Sequence, residues 1–374
     1  MVLAFLTLYC KQLGFSLQQG GLVVAIYGIG SVGGAFIGGK LSDAFGFYKI
    51  QFAALFMGGI LFIVLGQMNS YSGICICTFI LSMVNEAFRP ANASAIAHYS
   101  NAKNRTQSFS LIRLAVNLGW GIGIALGGLL ASVNYQLLFW VDGITNILAA
   151  FFLLVILPEI TLQQQKKPAA DSEIITDKTK FDSPYKDRTF IFFLFCIVLF
   201  AICFFQLFTT IPVFFKDKLN LTEFMIGVIL AVNGIMIALL EMLLVFKLEG
   251  RKPYLWFMGT GTLLMALAFL MLNIPLSNGF VVALLAVLML TIAEMVAMPF
   301  MNSYYISKST EKSRGQIAGM YTMAWSAAQV IGSSAGSWIA ERSGFFYLWY
   351  FTAMLSIIAA AGFFWLYHKN ELRQ

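Results

Sequence analysis

Residues 90–131 and 299–340 are one segment written twice. At a constant separation of 209 (299 − 90), Pro90 matches Pro299, Arg105 matches Arg314 and Gln107 matches Gln316. Gly123, Gly127 and Ala131 match Gly332, Gly336 and Ala340. A second stretch repeats at 206 (219 − 13): Leu13/Leu219, Ser16/Thr222, Gly21/Gly227, Ala25/Ala231, Gly28/Gly234 and Asp43/Glu249. The difference of three residues fits one small loop change between copies. Fixed-period self-similarity constrains architecture more than any single motif, because each copy must fold into an equivalent unit.

The solvent for those copies follows from composition. The chain is 59% hydrophobic and only 11% charged, against about 25% charged in soluble domains. Apolar runs of about 20 residues, enough to cross a ~30 Å hydrocarbon layer, fall near 17–39, 50–68, 73–98, 107–131, 135–157, 190–215, 223–246, 254–273, 279–306, 315–340 and 344–367. Their Gly- and Phe-rich character is that of helices rather than short alternating β-barrel strands. Two copies read in the same direction place a pseudo-two-fold axis along the membrane normal.

The positive charge of +7 is unevenly spread. Lys40, Lys49, Lys103, Arg105, Lys166, Lys167, Lys178, Lys180, Lys186, Arg188, Lys247, Arg251, Lys252, Lys308, Lys312, Arg314, Lys369 and Arg373 fall on one side of this topology. Lys11, Lys216, Lys218 and Arg342 fall on the other. The positive-inside rule puts the first set, the central linker and the C-terminus in the cytoplasm. The basic balance is therefore an orientation signal, and no nucleic-acid partner is expected. Cys10, Cys75, Cys77, Cys196 and Cys203 all lie in or beside apolar helices and read as buried thiols, not as metal or redox sites.

The organisation is a first bundle (1–157), a polar linker (158–188) and a second bundle (189–374). The linker is rich in Lys, Asp, Ser and Pro and cannot bury enough apolar surface to fold by itself. The first apolar stretch, Met1–Tyr9, is too short to span. By the repeat, residues 1–10 match 207–216, the outer half of the span at 190–215. The expectation is an upstream start that adds roughly 15–25 residues and completes this helix, since an amputated helix leaves polar ends in lipid. Counting the remnant, the plan is six spans plus six.

Gly39-Lys40-Leu41-Ser42-Asp43-Ala44-Phe45-Gly46-Phe47-Tyr48-Lys49 forms the loop expected after the second span. It resembles the G-x-L-x-D-R-x-G-R-R/K signature of the major facilitator superfamily. Gly39, Leu41, Asp43 and Gly46 match, Lys49 supplies a late base, and the arginines are replaced by Ala44 and Phe47. In that family the loop latches the two halves on the cytoplasmic side with its Asp as charge anchor. The second copy, Lys247-Leu248-Glu249-Gly250-Arg251, keeps one acid and one base. Gly119, Gly123, Gly127 and Gly128 resemble the G-x-x-x-G-P-x-x-G-G antiporter signature of the family's drug:proton exchangers, with Ile124 in place of the proline. Such spacing also simply lets helices approach closely, as it would for Gly30, Gly34 and Gly38.

The resemblance covers the whole chain. It implies an all-α integral membrane protein with the twelve-span, two-bundle major facilitator fold, its first helix truncated. It implies a secondary active transporter working by alternating access and not an enzyme. No nucleotide loop, metal-ligand cluster or catalytic triad is visible, so no cofactor or metal is expected. The family's first, fourth, seventh and tenth helices line the cavity, and the second, fifth, eighth and eleventh form the seam between halves.

Charges within spans are costly, roughly 2.5–3.5 kcal/mol each on insertion scales, and usually face a cavity or a partner. Glu86 and Arg89 share one face of the fourth helix. Glu294 lies mid-span in the tenth, one residue from the repeat position of Glu86, with no base within four positions. Such an acid can carry a proton, so Glu294 is the first candidate for proton coupling, ahead of Glu86 with Arg89. Arg113 and Glu241 lie toward the cytoplasmic ends of seam helices and, with Asp43, are candidates for an inter-bundle gate. Asn92, Gln206, Asn233 and Asn302 are candidates for cavity lining; each also suits an interhelical hydrogen bond. Asp142 opens an outer helix and reads as structural. Pro90 and Pro299 can kink their helices and free carbonyls toward a cavity. Met295, Met298 and Met301 suit an adaptable apolar pocket.

The functional expectation is proton-coupled efflux of small lipophilic compounds from the plasma (bacterial inner) membrane by a monomer. The alternatives are a symporter or uniporter of a small metabolite, favoured by the missing proline, or a non-transporting truncated membrane protein.

Overall fold

The computed structural model describes residues 1–99, 105–157, 187–274, 278–308 and 314–371. The side chains of Asp43 and Arg113, and all but the last two residues of the linker, lie outside the described set. Helices in chain order are α1 (Val2–Gln12), α2 (Leu17–Phe45), α3 (Phe47–Gly66), α4 (Tyr71–Tyr99), α5 (Arg105–Val133) and α6 (Gln136–Ile156). The second copy gives α7 (Arg188–Phe204), α8 (Gln206–Thr209), α9 (Ile211–Asp217), α10 (Glu223–Leu248), α11 (Tyr254–Met271), α12 (Gly279–Ser307), α13 (Arg314–Arg342) and α14 (Phe345–Glu371).

Ten of these helices, α7 and α8 taken together, are long and apolar enough to cross a membrane. The expected span at 315–340 forms as α13, at 29 residues long enough to cross. Ser326, Gln329, Ser333, Ser334 and Ser337 make it less apolar than its neighbours. α1, at 11 residues, is the short apolar helix expected at the start. The single span expected at 190–215 is broken into α7, α8 and α9. Pro212 sits in the first turn of α9 and has no N–H for the preceding turn, which ends a continuous ladder there. Gln206 braces the break. Its Nε2 donates to Ile202 O and Gly332 O, both at 2.9 Å, and its Oε1 accepts from Thr210 Oγ1 at 2.7 Å.

The signature expected as a loop is mostly helix. α2 runs through Phe45, and Gly46 alone makes the turn into α3 at φ 93°, a left-handed conformation that costs glycine little. Pro90 and Pro299 both lie inside unbroken helices. Four residues on, Ser94 Oγ donates to Pro90 O at 3.0 Å and Ser303 Oγ to Pro299 O at 3.1 Å. The two copies therefore repeat this hydrogen bond as well as the proline.

The chain divides into two compact units. One comprises Met1–Ala25, Leu114–Tyr135 and Ser183–Gln374; the other comprises Ile26–Arg113 and Gln136–Asp182. In the second unit, α3 packs on α4 and α6. Gly30, Gly34 and Gly38 of α2 lie against α4: a Cβ at Gly34 would be 2.2 Å from Met83 O, and one at Gly38 2.4 Å from Ala87 Cα.

In the first unit, α11 packs on α12 and α14, and α7 on α13 and α14. Here two helix crossings mirror each other. On α2, a Cβ at Gly21 would be 2.4 Å from Ser337 Cβ and 2.6 Å from Ser333 O of α13. On α10, a Cβ at Gly227 would be 2.6 Å from Gly128 Cα and 3.0 Å from Ile124 O of α5. Gly21 and Gly227 are repeat mates (21 + 206); so are Gly128 and Ser337 (128 + 209) and Ile124 and Ser333 (124 + 209). Gly128, one of the glycines that resemble an antiporter signature, thus builds a backbone-to-backbone crossing.

That crossing gives a direct expectation. Gly128→Leu forces a side chain into occupied backbone space and should cost about 1–3 kcal/mol or more. Gly119, on the same helix, has nothing within 4 Å of an added Cβ, so Gly119→Ala should not destabilise. Thermal unfolding of the two variants in detergent checks the pair.

Candidate functional site

The buried acid lies in the first unit. Glu294 on α12 is 4% exposed. Asn233 on α10 reaches it across the helix pair: Asn233 Nδ2 donates to Glu294 Oε2 at 3.2 Å and to Thr291 Oγ1 at 3.1 Å. Thr291 donates its own hydroxyl to Val287 O at 2.7 Å. Glu241, two turns along α10 from Asn233, is also buried. Met295 and Met301 are buried beside this acid on α12, with Met298 half-buried. Asn302 sits half-buried two turns beyond Glu294.

An aromatic wall stands in the same unit. The Trp325 ring on α13 lies 6.2 Å from Phe200, 5.4 Å from Phe204, 6.0 Å from Phe205 and 6.3 Å from Tyr321. Trp120 of α5 lies 5.2 Å from Phe208 of α8. Such rings offer large apolar area at fixed geometry and can also take a cation on their faces. The broken helix α7–α8 supplies four of these rings. Gln206, expected in the cavity, is 1% exposed and engaged in holding that break.

In the second unit, Glu86 and Arg89 of α4 form the expected same-face ion pair at 3.4 Å. The carboxylate is shielded at 17% exposure while the guanidinium is 76% exposed. Asn92 accepts from Gln51 Nε2 at 3.1 Å, an α3–α4 bond. The gate pairing expected between Arg113 and Glu241, and the latch role of Asp43, fall on side chains outside the described residues.

Sequence reasoning treated Asn233 and Glu294 separately and missed that they bond. It also missed a charge cluster at the end of the first unit away from the linker. Lys11 pairs with Asp217, and Lys216 pairs with Glu223. Tyr135 Oη donates to Glu223 Oε1 at 3.0 Å. Burial and the Glu223 charge push the Tyr135 hydroxyl above the ordinary tyrosine range, so it stays protonated and donating. The signal for the first pair was available: Lys11 and Asp217 are 206 apart, which is the repeat spacing. Each residue meets its own duplicate.

A helical bundle with long apolar spans, duplicated in sequence and carrying buried charge, is the architecture of a multi-span membrane protein. The family model of the Major Facilitator Superfamily matches residues 1–332, and the chain belongs to that family; it is a transporter and not an enzyme. It is 25% identical, over its full length and 93% of the relative, to a Na(+), Li(+), K(+)/H(+) antiporter of Planococcus maritimus. It is 22% identical to Multidrug resistance protein 2 of Bacillus subtilis (strain 168), over 90% of this chain and 83% of that one. Among solved structures, a peptide transporter POT in complex with sulfate superposes with TM-score 0.81 at 14% identity, covering 98% of this chain and 91% of the other. The nucleoside transporter NupG gives TM-score 0.77 at 18% identity over 98% and 94%. These structural likenesses establish the fold.

The Lys11–Asp217 pair is 39% and 30% exposed at its two side chains, so its contribution is small. A double-mutant cycle on Lys11→Ala and Asp217→Ala should give a coupling energy of about 0.2–1 kcal/mol that fades with added salt. Chemical or thermal unfolding across a salt series measures it.

Proposed function

We propose that this protein is a proton-coupled antiporter that exports small lipophilic compounds by alternating access, with Glu294 exchanging the coupling proton. The observation that carries this reading is a single buried carboxyl on α12, reached by an amide donor from α10. Burying a carboxylate without a cationic partner is expensive, so such a group is neutral when dry and ionises when water or cargo enters. Proton movement is then linked to opening of the site. The shielded Glu86 serves as the second acid; Arg89 beside it favours its charged form and makes it the less suitable proton carrier.

The aromatic wall around Trp325 and Trp120 supports lipophilic cargo, because flat apolar molecules gain area and stacking against it. The multidrug relative points the same way. A second reading, exchange of alkali cations for protons, is favoured by the Planococcus maritimus relative, matched over the whole chain. The oxygen-bearing side chains Glu294 and Thr291 would suit it. In either reading the protein sits as a monomer in the plasma membrane, with linker and C-terminus cytoplasmic.

Proteoliposomes holding the full chain separate these readings. An imposed pH gradient should drive movement of a lipophilic aromatic cation such as ethidium, and addition of Na+ or K+ should not collapse the gradient. Collapse by Na+ or K+ alone selects the second reading. Glu294→Gln should reduce pH-driven movement to the level of empty liposomes while counterflow exchange of the same probe persists. Undiminished pH-driven movement in Glu294→Gln removes this residue from the mechanism and transfers the role to Glu86.

A further inference from the structure

The duplication places a precedent beside the acid. Asn233 is the repeat mate of Tyr27 (27 + 206), and Glu294 is the repeat mate of Asn85 (85 + 209). In the first copy Tyr27 and Asn85 interact across α2 and α4. In the second copy Asn233 and Glu294 hydrogen-bond across α10 and α12. The cross-helix contact is therefore common to both copies. What distinguishes the second is that one partner ionises.

The orientation of the Asn233 amide is determined by its surroundings. Thr291 has committed its hydroxyl hydrogen to Val287 O, so it can only accept from its neighbour. The NH2 end of Asn233 must then face Thr291 and Glu294, and both of its hydrogens have acceptors. The next residue, Gly234, is fixed on the opposite side. A Cβ there would be 2.6 Å from Gly121 N and 3.1 Å from Asn117 O of α5. At this level α10 is held between the α5 backbone and the acid on α12.

We propose that Asn233 is the positioning residue of Glu294: its amide steadies the ionised carboxylate and ties gain and loss of that proton to α10 where α10 crosses α5. The proposal rests on the reading of Glu294 as the proton carrier. An amide donor bonds a carboxylate more strongly than a neutral carboxyl, because the accepting oxygen then carries charge. Among the described residues, other groups around the acid do not substitute for it. Glu241 on α10 is a like charge acting on Glu294. On α11 the segment against Ala293 and Ala297 is Gly261, and the ionisable residue of that helix, Tyr254, lies against Phe300. On α13, Tyr321 stacks on Tyr305.

The test uses the purified full chain in liposomes and needs no substrate. The infrared band of a protonated carboxyl is followed through a pH titration, and the Glu294 component is the part absent from Glu294→Gln. In Asn233→Leu, which keeps the shape and removes the donor, the midpoint of that component should move to higher pH by about one unit. Asn233→Gln, which retains a donor, should move it back toward the parent value. Where Asn233→Leu does not fold, Asn233→Ser serves as the weakened donor and should give a smaller shift of the same sign. An unchanged midpoint in a folded variant, with only a lower melting temperature, makes Asn233 a packing residue and overturns the proposal while Glu294 stands. A parent protein with no titrating component missing from Glu294→Gln overturns the proton reading and this proposal with it.

Discussion

Hydrocarbon on both sides of a helix removes the usual reason for helices to associate. A leucine gains little by leaving lipid for another leucine, so packing must come from close backbone approach and from polar bonds. The α5–α10 and α2–α13 crossings supply both. Gly128 against Gly227 brings two backbones into contact, and Gly21 does the same against Ser333 and Ser337. These crossings bind first-copy helices to second-copy helices within one compact unit. Everything that the unit does chemically is hung on helices fixed in this way, including α10, which carries Asn233.

Much of this was legible in the sequence. The repeat gave the architecture, the apolar runs gave the helices, and the low charge content gave the membrane. The short first helix appeared as α1, and the Glu86–Arg89 pair formed because residues three apart share a helix face. Glu294 stood out because a lone carboxylate in an apolar run has few structural uses. The break at Phe205 and Thr210 was not legible, since hydropathy continues unchanged through it; Pro212 was the available signal. The helical course of Gly39 to Phe45 was masked by reading a signature as a loop.

Pairings across helices were the least legible. Asn233 could equally have lined a cavity or bonded a neighbour, and sequence spacing does not say which helix it faces. Gln206 turned inward to brace a broken helix for the same reason. One route to such contacts was open: residues near a pseudo-two-fold axis meet their own duplicates or the duplicates of each other's partners. Applied to the repeat, that rule yields Lys11 with Asp217 directly, and yields the second glycine crossing once the first is known.

That rule also explains where the two copies had to diverge. A position on a two-fold axis faces itself. An unchanged duplicate would have set lysine against lysine or aspartate against aspartate at 11 and 217, and like charges in contact repel. The two copies carry opposite charges there instead, and the residues pair. Off the axis no such pressure acts, so a glycine crossing or a proline with its following serine persists in both copies. The Tyr27–Asn85 and Asn233–Glu294 pairs are off the axis and yet differ. Symmetry did not force that change, and packing is served by the neutral pair. A carboxyl in only one of two equivalent places therefore calls for a functional explanation, and exchange of one proton per cycle needs only one such group.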